Sequence, residues 1–112
     1  MVLASESPVA RLKAELFKSL GHPVRVQVLE QLVAGERSVG SLAEGLGLEL
    51  SSLSQQLGVL RRAGVVITRR DGNTIYYSVR DPGMADLLEV AKRMLVANLQ
   101  DSHAVLRTME RE

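Results

Sequence analysis

At 112 residues the chain has the length of one domain, and a composition 46% hydrophobic and 24% charged excludes a disordered polymer. It contains no Cys, which excludes disulfides, thiolate metal sites and thiol redox switches within the chain. No apolar run approaches the roughly 18–20 residues of a membrane span, Met1 to Pro8 carries neither region of a signal peptide, and the net charge of +1 alone says nothing about nucleic acid, so the expectation is a cytoplasmic, membrane-free protein.

Residues 1–8 are expected to be loose. Val9, Leu12, Leu16, Phe17 and Leu20 then recur at helical spacing and predict a first amphipathic helix closed by Gly21. Pro23 suits a first helical position, with His22 before it as N-cap or packing residue, and Val24, Val28, Leu29 and Leu32 predict a second helix that stops at Gly35. Ser38 is the expected N-cap of a third helix over about Val39 to Leu46, ended by Gly47; Ser41-x-x-Glu44 is a weaker capping-box match. A fourth helix is predicted from about Leu50 to Arg62, with Leu50, Leu53, Leu57 and Leu60 as its apolar stripe and Ala63-Gly64 as its end. Beyond Gly64 the period falls from 3.6 to 2, and two β-rich runs around Asp71-Gly72-Asn73 predict a hairpin over residues 65–79. Asp81-Pro82 opens a final helix, residues 82–110, with Met84, Leu87, Leu88, Ala91, Met94, Leu95, Asn98 and Leu99 on one side and Val105, Leu106 and Met109 extending it.

Leu42, Ala43, Leu46, Gly47, Leu48, Leu53 and Leu57 have the spacing of a helix-turn-helix, residues 38–63. Ala43 is small where two helices cross, and Gly47 frees the turn. On the second helix of that pair Ser51, Ser52, Gln55 and Arg62 share the side away from the leucines, and Ser54 and Gln56 flank it. The face holds no carboxylate. Hydroxyls and amides donate and accept at base edges, where acids are repelled by phosphate. Charge concentrates nearby: residues 51–80 carry Arg61, Arg62, Arg69, Arg70 and Arg80 against Asp71 alone. Arg62, Arg69, Arg70 and Asn73 are the candidate phosphate or wing contacts, so the predicted partner is double-stranded DNA.

The stretches LFKSLGHPVRVQVLEQL, SVGSLAEGLGLELSSLSQQLGVLRRAGVV and RRDGNTIYYSV together resemble the ArsR/SmtB family of bacterial winged-helix repressors over about residues 9–100. The resemblance implies a mainly α fold of about five helices with a β-hairpin wing. It also implies a homodimer held by the first and last helices, with two recognition helices on an inverted repeat. The dimer candidates are Leu12, Leu16, Leu87, Leu88, Ala91, Leu95 and Asn98; Asn98, a polar residue in the last stripe, is a candidate for setting register. The chain departs from the family's sensing motifs. Ser38-Val39-Gly40 stands where the metalloid sensors have Cys-Val-Cys, and Asp86-Leu87-Leu88 with Leu99 to Ser102 stands where zinc-type members have Asp and His.

No metal and no cofactor is therefore predicted, and the inducer is left unassigned. Asp101 and His103 do not share a helical face, so one chain offers no chelating pair there, although a dimer can assemble ligands from both copies. Asp101-Ser102-His103 has the letters of a hydrolase triad, yet consecutive helical residues point about 100° apart and cannot form the relay, so no enzyme is expected. Met84, Met94 and Met109 suit core or dimer packing, with a ligand pocket between the terminal helices as the alternative. The reading is a DNA-binding repressor; the alternatives are a winged-helix protein-interaction module and a small-molecule-gated regulator.

Overall fold

The computed structural model describes residues 7–111, in which five α-helices and three β-strands follow one another. α1 (Pro8–Leu20) begins where Ser7 Oγ accepts the Ala10 N–H at 3.3 Å and Pro8 takes the first helical turn. Of the segment expected to be loose, residues 1–6 lie outside the described residues, and Ser7 and Pro8 start the helix instead. α2 (Pro23–Leu32) is capped by His22, whose Nδ1 accepts the Val24 N–H at 3.1 Å. It ends at Leu32 rather than Gly35: the Gly35 N–H closes a turn on Leu32 O at 3.0 Å, and Gly35, at φ 149°, lets the chain depart.

A two-residue strand not anticipated from sequence follows, β1 (Arg37–Ser38). Two residues are too few for an alternating pattern. Ser38 also accepts the Ser41 N–H at 3.1 Å and so starts α3 (Val39–Leu46). Gly47 closes α3 at φ 65°, and the Leu48 N–H returns to Ala43 O at 3.0 Å. α4 (Leu50–Arg62) ends at Ala63-Gly64, with the Val65 N–H on Leu60 O at 3.0 Å. β2 (Val66–Asp71) and β3 (Thr74–Val79) pair antiparallel from Val66 opposite Val79 to Asp71 opposite Thr74, leaving Gly72-Asn73 as a two-residue loop. Gly72 takes φ 63° at the first loop position, where a type II′ turn places Gly. β1 pairs on the outer side of β3, giving the order β1-β3-β2.

The chain divides into two compact units, one running to Asp81 and the other starting at Pro82. In the first, Val28, Leu29 and Leu32 of α2, Leu42 and Ala43 of α3, Leu53, Leu57 and Leu60 of α4, and Val65 and Val66 are buried. This core is wholly aliphatic. Ser19 is buried as well, its hydroxyl donating to Leu16 O at 2.6 Å, which removes the cost of an unpaired polar group. The second unit is α5 (Gly83–Arg111), one uninterrupted helix of 29 residues that takes in Val105, Leu106 and Met109.

Candidate nucleic-acid interface

Leu53, Leu57 and Leu60 are fully buried and fix which side of α4 faces the core. With Leu53 at zero on a wheel of about 100° per residue, Ser51, Gln55 and Arg62 fall near 160–200°, opposite the core. Ser51, Ser52, Ser54, Gln55 and Arg62 are exposed. α4 also starts without a capping side chain: Glu49 makes no cap bond, and no acid lies in the first turn. The first-turn N–H groups therefore lack a side-chain partner, while the exposed Glu49 carboxylate at the N-cap offsets the positive end of the helix.

Gln56 differs from its neighbours. It is half-buried, and its side-chain carbonyl accepts from Arg25 Nη1 of α2 at 2.8 Å. The same guanidinium donates through Nε to Ser19 O at 2.6 Å and through Nη2 to Lys18 O at 3.4 Å. Arg25 thereby ties the C-terminal carbonyls of α1 to α4, and Gln56 serves that tie. Sequence reasoning missed Arg25 because nothing in the spacing of α2 links it to a residue 31 positions away.

Gly58 sits on the outward side of α4, and a Cβ there would meet Arg62 Nη1 at 3.2 Å. The Arg62 side chain therefore runs back along the helix over Gly58, carrying its charge towards the middle of the acid-free face.

The two wing arginines point to opposite faces of the hairpin, as successive strand residues must. Arg69 is directly opposite Tyr76, with its guanidinium carbon 4.5 Å from the ring centre. It also grips Glu36, Nε donating at 3.0 and 2.9 Å to the two carboxylate oxygens and Nη2 at 2.7 Å. That hydrogen bonding holds Glu36 below the ordinary carboxylate value and Arg69 above its own, with burial opposing both. Arg70 is exposed and pairs across the sheet with Ile75.

Ser38, Val39 and Gly40 at the start of α3, Leu50 and Ser54 of α4, and Asn73, Thr74 and Ile75 of the wing line an open cleft of about 510 Å³. The fold thus brings Ser54 and Asn73, two of the sequence candidates, to one edge. Leu50 is 57% exposed, whereas the leucines that continue its stripe are completely covered. Its place at the first residue of α4, one turn outside the helix crossing, is the reason.

Among the dimer candidates Leu12 and Leu95 are strongly exposed, Leu16, Ala91 and Asn98 are also exposed, and Leu87 and Leu88 are half-buried. His103 lies exposed on α5, and the described residues hold no group of three His, Asp or Glu able to bind a metal ion. No helix among them is long and apolar enough to cross a membrane.

A helix-turn-helix domain model matches residues 20–69. An uncharacterized HTH-type transcriptional regulator of Mycobacterium tuberculosis, Rv0081, is 55% identical over 103 residues, covering 91% of this chain and 90% of its own. Its crystal structure superposes with a TM-score of 0.78 over 87% of this chain and 98% of that one. The transcriptional repressor BigR from Xylella fastidiosa has a TM-score of 0.71 at 42% identity, over 76% and 87% of the two chains. A homodimeric winged helix-turn-helix DNA-binding domain from Mycobacterium bovis, described as a possible ArsR-family regulator, has a TM-score of 0.75 at 28% identity, over 88% and 95%.

Proposed function

The chain belongs to the ArsR family of winged helix-turn-helix transcriptional regulators, and we propose that it represses transcription in the cytoplasm as a homodimer seated on an inverted-repeat operator. The observation that carries the reading is the outer side of α4, exposed and free of acid, with Arg62 folded along it and Arg70 and Asn73 beside it on the wing.

α4 enters the major groove with Ser51, Ser54 and Gln55 at base edges, Ser52 at the rim, and Gln56 seating the helix through Arg25. Arg62, Arg70 and Asn73 contact the backbone, where charge supplies affinity without sequence information. Arg69 reaches phosphate only by exchanging Glu36 for it. A second copy covers the apolar side chains of α1 and α5, of which Leu12, Phe17, Met94, Leu95 and Leu99 are all more than half exposed. Two-fold symmetry then places the two recognition helices about one helical turn of DNA, roughly 34 Å, apart. Occupancy of a promoter by such a dimer blocks polymerase.

Selection from random duplexes followed by binding measurements tests the reading. Gln55→Ala should lose about 1–3 kcal/mol of discrimination at one base pair of each half-site. Arg70→Ala should weaken every duplex and lower the slope of affinity against salt by about one. Wild-type binding by both variants would overturn the assigned surface.

A further inference from the structure

Leu50 is a large apolar side chain left 57% uncovered at the first position of α4. Exposed leucines are ordinary on a protein surface, so the exposure alone carries nothing. Its surroundings carry more. On the helix wheel Leu50 lies at about 60°, between the buried stripe and the reading face, and Ser54, one turn on, lies at about 100° on the same side. Both border the cleft that opens towards Asn73 and Thr74 at the tip of the wing. No side chain bordering that cleft is charged.

A recognition helix meets base edges chiefly with its N-terminal residues. Hydrogen-bonding groups dominate the major-groove edge of a base pair, and its apolar feature is the C5-methyl of thymine. We propose that Leu50 is a specificity residue: it packs on the 5-methyl group of one thymine in each half-site, while Ser51 and Ser54 beside it hydrogen-bond to neighbouring base edges. The proposal rests on the reading that α4 occupies the major groove. The surface is continuous with that interface, since Ser54 and Asn73 belong to both.

The experiment replaces each thymine of the selected operator, one at a time, by deoxyuridine, which removes the methyl and keeps every hydrogen bond. Full-length wild type, Leu50→Ala, Leu50→Met and Gln55→Ala are compared on each duplex. Uracil at one position per half-site should weaken wild type by about fourfold, the worth of burying one methyl-sized group. Leu50→Met should keep that sensitivity, and Leu50→Ala should lose it while melting like wild type, since the site is exposed. Should Leu50→Ala fold poorly, Leu50→Gln supplies the same comparison.

Equal responses of wild type and Leu50→Ala to every uracil overturn the proposal. If Gln55→Ala is impaired on the selected operator while uracil has no Leu50-dependent effect, only the methyl contact is wrong. If no sequence is enriched, or Gln55→Ala and Arg70→Ala both bind like wild type, the placement of α4 itself is wrong, and the methyl contact falls with it.

Discussion

Glu36 and Arg69 set a local competition. The carboxylate accepts three hydrogen-bonding contacts from a guanidinium that also packs on Tyr76. A phosphate offers Arg69 the same acceptor geometry, so DNA has to displace Glu36 to recruit that charge. Glu36→Gln should therefore raise duplex affinity and steepen its salt dependence by up to about one ion. The gain should vanish in an Arg69→Ala background; if it persists there, Glu36 acts as a general negative charge and not through this pair. Acid should do part of the same work. Glu36 titrates below its unfolded value because Arg69 hydrogen-bonds its ionised form, so the pair's contribution to stability is complete above about pH 4.5 and lost as pH falls through the lowered value. Arg25 makes a second residue-scale case. Its three acceptors are two carbonyls of α1 and Gln56, arranged for a planar fork that a lysine ammonium does not reproduce. Arg25→Ala should cost about 1–3 kcal/mol in urea unfolding, and Arg25→Lys should recover little of it. Neither pair was legible in the sequence: Glu36 and Arg69 are 33 positions apart, Arg25 and Gln56 31, and no local pattern couples them.

At the scale of elements the sequence spoke clearly wherever a local rule suffices. Ser38 before α3, His22 before Pro23, and Gly47 and Gly64 after their helices all act where capping and left-handed backbone require them. The buried stripe of α4 followed from period alone, except at Leu50, which stands at the first residue of the helix and is exposed. Arg69 and Arg70, adjacent and alike in sequence, were separated only by the pleat of β2 and its pairing with β3. β1 was invisible because its two residues gain strand geometry only from Tyr76 and Tyr77 across the sheet. Two substitutions weigh these local rules. A Cβ at Gly47 meets no atom within 4 Å, so Gly47→Ala carries only the left-handed backbone penalty, about 1–2 kcal/mol. Ser38→Ala, which removes the cap of α3, should cost about 0.5–2 kcal/mol by thermal or denaturant unfolding. The two penalties should add if each end of α3 acts independently.

For the whole molecule the governing fact is uncovered apolar surface. Along α5, Met94, Leu95, Leu99, Val105, Leu106 and Met109 are each at least half exposed, and Val9, Leu12 and Phe17 of α1 are too. Large exposed apolar patches on soluble proteins mark interaction sites, and a second copy offers the same complement under two-fold symmetry. Leu95, 63% exposed in the single chain, is a suitable probe because changing it should disturb association far more than folding. Leu95→Glu should shift the protein to monomer in light scattering while leaving helix content unchanged. Its consequence for DNA separates dimer from monomer recognition. A two-fold operator held by a dimer gains from both half-sites at once, so the variant should lose most of its affinity for the full operator yet bind an isolated half-site as wild type does. A variant that stays dimeric places the interface elsewhere. One that becomes monomeric and still holds the full operator normally shows that a single recognition helix and wing suffice.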